Sequence, residues 1–211
     1  MSEFSTSKPY KLRRNRETGI YEVEKIYEFL DQRAIGTLSV VIDGKPVSIP
    51  TIYARVGDRI VIHGSTASAI LRAAVTNNYA SLVTFELDRV ILPDSIFYHS
   101  VDYRSVVVAG PCDEITSEGE RDELFRKFSE VVLPGRYGKV REPNEAERRQ
   151  TMVISIEIKE ALYKFNETED EVIDTSSETP TAIVQIENKG YRIIRSNNEE
   201  IQRDLFHKFL Q

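Results

Sequence analysis

From residue 21 the polar opening of the chain gives way to Val23, Ile26, Tyr27 and Leu30. Their i, i+3, i+4, i+7 spacing places all four on one face of a first helix that ends near Arg33. Residues 34–42 alternate loosely and carry many β-branched side chains, and Asp43-Gly44 is a favoured two-residue hairpin turn, so 45–55 returns as a second strand. Gly57-Asp58 turns the chain again into a third strand over 59–63. After Gly64 the pattern switches. Ser65 or Thr66 can accept the free amide hydrogens of a new helix, whose small apolar face is Ala69, Ile70, Ala73 and Ala74 and which Asn77-Asn78 ends. Strands are predicted over 81–92 and 103–109. Ser117 and Glu120 have capping-box spacing ahead of Leu124, Phe125, Phe128, Val131 and Val132, one face of a third helix that Pro134-Gly135 stops. Met152, Ile154, Ile156 and Ile158 alternate with Thr151, Val153, Ser155 and Glu157 as a sixth strand. Six antiparallel strands with inserted helices predict a β-rich α+β fold, a Greek-key barrel, because closure removes exposed edges.

These patterns divide the chain into four parts. Residues 1–20 form a polar N-terminal arm with a basic cluster of Lys8, Lys11, Arg13, Arg14 and Arg16, which reads first as a solvated tail. Residues 21–166 form the barrel domain. Residues 167–181 are acidic and rich in Ser and Thr, the composition of a linker or loop. Residues 182–211 add a hairpin about Asn188-Lys189-Gly190 and a short amphipathic helix ending in Phe206, Phe209 and Leu210, packed on the barrel. The chain has no internal repeat.

Composition narrows the function classes. At 211 residues with 40% hydrophobic content, there is material for one well-packed domain. Lys and Arg total 28 against 34 Asp and Glu, a net charge of −6, opposite in sign to a surface that neutralises nucleic-acid phosphates. The lone Cys112 cannot form an intramolecular disulfide, the first residues lack the apolar run of a secretory signal, and apolar stretches such as Ser39-Val40-Val41-Ile42 are too short for a bilayer. A cytosolic or nuclear setting without membrane or nucleic acid is expected. Three scattered His and one Cys leave zinc without ligands at usable spacing, so no metal is expected.

Two segments can carry chemistry. In His63-Gly64-Ser65-Thr66-Ala67-Ser68, a strand feeds a hydroxyl-rich helix start, where unpaired amides and the positive end of the helix dipole face the same way. Arg72, one turn beyond Ser68, leans back toward that start, so the segment suits an anion; capping alone would also explain Ser65 and Thr66. In the second segment, His99, Ser100, Tyr103, Arg104 and Ser105 crowd the approach to a β-branched strand, where a barrel presents side chains to a ligand at its mouth. A buried, hydrogen-bonded structural role for His99 is the plainer alternative.

His63-Gly64-Ser65 with Ser68, then His99-Ser100 with Tyr103-Arg104-Ser105-Val106 and Gly110, then Pro134-Gly135-Arg136 ahead of Arg141 and Pro143, occur in an order that resembles the FMN-binding split-barrel superfamily. The likeness is to its pyridoxamine-phosphate-oxidase-like branch of flavin-nucleotide-binding proteins, and it spans residues 14–164. It implies a homodimer with two FMN molecules in clefts between subunits. Ser65, Ser68 and Arg72 would receive the phosphate, with His63, Gly64 and Thr66 in the same cradle. Thr51 would flank the flavin, Tyr103, Arg104 and Ser105 would contact the cofactor, and Arg136 and Arg141 would reach in from the other subunit. The chain departs from the oxidase that makes pyridoxal phosphate: Ala69 stands where a basic residue would follow Ser68, and there is no Trp for its C-terminal signature. Flavin binding survives these departures better than the vitamin B6 reaction does. His63 also matches the histidine of related nitroimidazole reductases.

The expected activity is an FMN-dependent oxidoreductase acting on a small molecule. The residues identify no general base, and His63 and His99 are the histidines near the expected cleft. A dimer that carries or senses FMN without turnover is the alternative.

Overall fold

A computed structural model of the chain describes residues 2–4, 7, 9–170, 173, 176, 181–187 and 190–196. The fold is β-rich α+β. In chain order it runs β1 (Gly19–Ile20), α1 (Val23–Asp31), β2 (Ile35–Ile42), β3 (Lys45–Ile52), β4 (Ala54–Val56), β5 (Arg59–Ser65), α2 (Ala69–Thr76), β6 (Ala80–Leu92) and β7 (Ser100–Gly110). Then follow β8 (Cys112–Glu114), α3 (Glu118–Val132), α4 (Glu145–Gln150), β9 (Thr151–Glu157), β10 (Glu160–Asn166), β11 (Ala182–Glu187) and β12 (Gly190–Ser196). The described residues thus hold twelve strands, against six expected in the barrel and two in the C-terminal hairpin. They make two sheets, and neither closes on itself. One has the order β1-β10-β7-β6-β11-β12 with the β2–β3 hairpin branching from β6, and the other has the order β4-β5-β9-β8. None of the helices among the described residues is long and apolar enough to cross a membrane.

The chain divides into two compact units, one of residues 1–84 and 106–163, the other of residues 85–105 and 164–211. In the first, the hairpin turn forms as expected, with Asp43 and Gly44 both at positive φ (51° and 71°), the pair of values that a twisted two-residue turn requires. The return strand is different. Residues 45–55 split into β3 and β4, which lie in different sheets. Tyr53 is the cause: it is fully buried, its N–H donates to the Ala34 carbonyl at 2.9 Å, and its hydroxyl donates to the Leu30 carbonyl at 2.9 Å. The amide bond extends the β2–β3 register by one residue, the side chain anchored to Leu30 marks the point where the chain leaves β2, and Ala54 starts a new ladder with Val61.

The main core of this unit gathers Ile26, Leu30, Leu38, Tyr53, Ile60, Ile62, Leu82, Ile154 and Ile156, each contributing about 1.5–3 kcal/mol of transfer energy when buried. β9 was expected to be apolar on one face, yet it is buried on both. Its other face holds Val153 with Val61, Ile115 and Leu124, a second cluster that includes the buried side of α3. The capping box expected at Ser117 does not form, since the Ser117 side chain makes no cap bond and Glu120 pairs with Arg59 at 3.1 Å. A capping box forms instead at Asn144 and Glu147, which start the short α4. The N-terminal arm is tied to this unit where it is described. Glu3 bridges Glu22, the Phe4 amide donates to Tyr21, and the Phe4 and Tyr27 rings meet at 6.0 Å.

In the second unit, β11 pairs with both β12 and the far half of β6, from Ala182 against Leu92 to Gln185 against Arg89. The predicted hairpin strands are present. Asn188-Lys189, Lys8 and the predicted helix ending in Phe206, Phe209 and Leu210 lie outside the described residues. Inside the unit, Arg89 donates to Asp102 at 2.7 Å, to Asp170 at 2.6 Å and to the Thr168 carbonyl, and Asp102 also accepts from Asn166 at 3.2 Å and Thr168 at 2.7 Å. Asp102 is only 3% exposed, a buried carboxylate with every oxygen in use.

Candidate functional site

The strand-to-helix junction between β5 and α2 is real, but the helix starts later than Ser65 or Thr66. Ser65 remains extended as the last residue of β5, opposite Thr151 on β9, and the Thr66 amide donates to the Gln150 carbonyl at 3.0 Å. Pairing with β9 outcompetes helix initiation there, so Ser68 becomes the N-cap, its hydroxyl accepting from the Leu71 amide. The helix buries Ile70, Leu71 and Ala74, with Ala73 partly buried against the core, while Ala69 is exposed. A Cβ at Gly64 would lie 2.9 Å from Leu71 Cδ1, so glycine is what lets the strand end approach this helix.

The result is a turn of exposed Ser65, Thr66 and Ala67 leading to a helix start. Among the described residues the Ala69 and Ile70 amides have no acceptor, and Arg72 is exposed and makes no ion pair. Two free amides, nearby hydroxyls and an uncommitted guanidinium on the first turn suit a doubly charged oxyanion such as a phosphate ester. Sequence spacing found the segment; only the β9 pairing reveals which amides are free.

Of the other expected cationic groups, Arg104 and Arg141 are already engaged, while the Arg136 side chain makes no hydrogen bond or ion pair among the described residues. Arg104 donates through Nε and Nη2 to Asp88 at 2.9 and 2.7 Å and through Nη2 to Glu86 at 2.6 Å. Tyr103 accepts a short hydrogen bond from Lys164 at 2.5 Å, and the Ser105 hydroxyl donates to the Lys164 carbonyl at 3.1 Å. The Glu86-x-Asp88 spacing on β6, next to β7 in the sheet, was the available signal for this carboxylate partnership. His99 is exposed and follows the exposed Ile96, Phe97 and Tyr98, so the buried structural role does not apply. Thr51 is on β3, its hydroxyl donating to the Ile52 carbonyl at 3.3 Å, and Arg136 lies in the exposed loop after α3.

Arg141 forms a two-armed pair with Glu147 at 2.7 and 2.5 Å. That guanidinium, with the Asn144 amide, brings the Glu147 carboxyl from its ordinary 4.5 down to about 2. A depressed carboxylate stabilises the fold above its unfolded value, and this contribution disappears as pH falls through the window from about 4.5 to about 2. A carbon-13 titration of Glu147 is expected to show its midpoint near the lower end of that window, and Arg141→Ala is expected to move it back toward the ordinary carboxylate range. An ordinary midpoint in the unmodified protein would mean that the pair does not form.

His63, next to the junction, stacks edge-on against Phe128 at 4.6 Å and Phe125 at 5.6 Å between ring centroids. The residue keeps solvent exposure, while the two phenyl rings desolvate its imidazole and push its pKa below the usual histidine value. A neutral imidazole with no hydrogen bond to the described chain is available as a proton relay or a ligand. Cys112 is a poor nucleophile by contrast, because burial and then Asp113 push its thiol up to about 12.

Comparison with known proteins agrees with this architecture. Among solved structures, the flavocytochrome Anf3 from Azotobacter vinelandii is 24% identical, with a TM-score of 0.76 over 86% of this chain and 85% of that one. The FAD and haem binding protein from Mycobacterium smegmatis is 28% identical, with a TM-score of 0.70 over 80% and 84%. An FAD-binding protein from Mesorhizobium loti shares the fold at 17% identity and a TM-score of 0.51, over 71% and 97%. No curated relative matches the chain. The profile of the family described as pyridoxamine 5'-phosphate oxidase matches residues 22–164, well over half of the sequence, and the chain therefore belongs to that family.

Proposed function

We propose that the protein binds a flavin nucleotide, FMN, by its phosphate at the β5–α2 junction and acts as an oxidoreductase on a small molecule. The observation that carries this reading is the helix start at Ser68, with the free Ala69 and Ile70 amides and the unpaired Arg72. The flavin, when bound, supplies hydride or electron-pair transfer. The chain's own part is to hold the phosphate, through those amides, Ser65, Thr66, Ser68 and Arg72, and to keep His63 neutral beside it. Flavin binding by the Mycobacterium smegmatis protein, which covers most of this chain, supports the reading. So does the β2–β3 hairpin, an edge that exposes Ile35 (65%), Val41 (53%), Ile49 (45%) and Ile52 (48%). Among the described residues β3 pairs only with β2, and these apolar side chains beside its open edge fit a second copy of the chain, to whose interface we assign the cofactor clefts.

The purified protein is expected to be yellow, and the mass of the molecule released by heating distinguishes FMN from FAD. Arg72→Ala is expected to weaken binding by about tenfold to a hundredfold, the worth of one charge-assisted phosphate contact, with the melting temperature unchanged. A colourless protein that ignores added FMN and FAD in calorimetry would end the proposal. Oxidation of a reduced pyridine nucleotide separates an enzyme from a carrier, and sedimentation at the monomer mass with tight flavin binding would remove the shared cleft.

A second reading adds haem, because His63 offers a neutral imidazole and the Mycobacterium smegmatis protein binds haem as well as FAD. His63 would then be the iron ligand. Haem titration is expected to give a Soret band that His63→Ala abolishes; the same band in both proteins would exclude His63.

A further inference from the structure

The face of the four-stranded sheet that carries His63 changes character along its length. Cross-strand pairing places Val153 beside His63, Ser155 beside Val61 and Asp113, and Glu157 beside Arg59. At one end α3 covers the face with Leu124, Phe125 and Phe128. Near the first turn of α3 the cover stops, and the face opens into a cavity of about 350 Å³ with Ile115 in its wall.

Four carboxylates line this cavity against one guanidinium. Arg59 is held by Glu120 at 3.1 Å, and Glu157 is paired with Lys159. Asp58 and Asp113 make no ion pair among the described residues, so the cavity retains uncompensated negative charge. Ser155 supplies an independent observation. It is 6% exposed, lines the cavity, and its hydroxyl makes no hydrogen bond to any described residue. A hydroxyl open to an acidic cavity suits a ligand with N–H groups, since those can bond the hydroxyl and the carboxylates together. A single metal ion does not match the spread of these groups, because among the described residues no three carboxylate, imidazole or thiol groups converge closely enough to hold one.

We propose that this cavity binds a protonated alkyl amine, with the ammonium group donating to Ser155 and Asp113 and a carbon chain lying along Ile115. The size is at the lower end for small-molecule clefts, enough for a short diamine. The same ammonium chemistry is available from a free diamine or from a lysine side chain, and calorimetry with 1,4-diaminobutane and with Nα-acetyl-lysine amide separates the two sources. Saturable binding of either probe supports the proposal, the tighter one naming the source. Asp113→Asn is expected to weaken it at least about tenfold and Ser155→Ala several-fold, both isosteric enough to keep the melting temperature. Tetramethylammonium, which has no N–H, is expected to bind equally well to the unmodified protein and to Ser155→Ala. No saturable heat from either probe, or undiminished binding in Asp113→Asn, would overturn the assignment. Neither outcome depends on the flavin.

Discussion

Asp102→Ala is expected to remove about 3–5 kcal/mol of unfolding free energy, the loss typical of breaking a buried ion pair from one side. The magnitude follows from what is left behind. Arg89 is mostly buried, with 17% of its side chain exposed, and it would keep Asp170 and the Thr168 carbonyl but lose the partner at 2.7 Å. Asn166 and Thr168 would each lose an acceptor as well. Replacing both members of the pair, as Arg89→Met with Asp102→Leu, is expected to restore most of the stability, because no charge then remains buried without compensation. Urea unfolding of the three proteins measures this. A single-variant loss below about 1 kcal/mol would show that Arg89 reaches water once released.

Gly110→Ala is expected to destabilise the first unit by about 3 kcal/mol, the upper part of the usual range for overpacking. A Cβ at this position would lie 1.9 Å from the Glu157 carbonyl oxygen and 3.2 Å from the Lys159 amide nitrogen. Both atoms are backbone, so no side-chain rotation relieves the clash. Nor is the backbone free to slide: the Glu157 amide donates to Pro111 at 2.9 Å, Lys159 to Ala109 at 3.1 Å and Ile158 to Asp58 at 2.8 Å. One added methyl therefore forces three backbone hydrogen bonds at the end of β9 to yield. In a chain of this size the melting temperature should fall by about 6–12 °C. A fall of a degree or two would mean that β9 shifts without losing its register.

Local pattern was sufficient where one residue's neighbours in sequence are also its neighbours in space. α1, the Asp43-Gly44 turn and the alternation in β9 were legible for that reason. β8 escaped notice because three residues carry no period, and the β3–β4 break escaped because Tyr53 is pinned by partners about twenty residues away. The candidate site shows the same division. Hydroxyl-rich residues after His63 and the Arg72 spacing pointed to an anion cradle, yet the position of the cap at Ser68 depended on Thr151 and Gln150. The states of Arg104 and Arg141 depended on Asp88, Glu86 and Glu147, and the carboxylates beside Arg104 are remote in sequence.

The chain by itself determined a β-rich α+β fold, its first helix and hairpin, a segment suited to phosphate, and resemblance to the family to which it belongs. Tertiary structure alone decided which strands share a sheet, where α2 begins, which arginines are free, and where an acidic cavity remains open beside α3. Periodicity and turn chemistry act through bonds a few residues apart. Ladder pairing, charge compensation and burial join residues that only folding brings together, and they prevail over local preference wherever a strand end or a charge must find a partner.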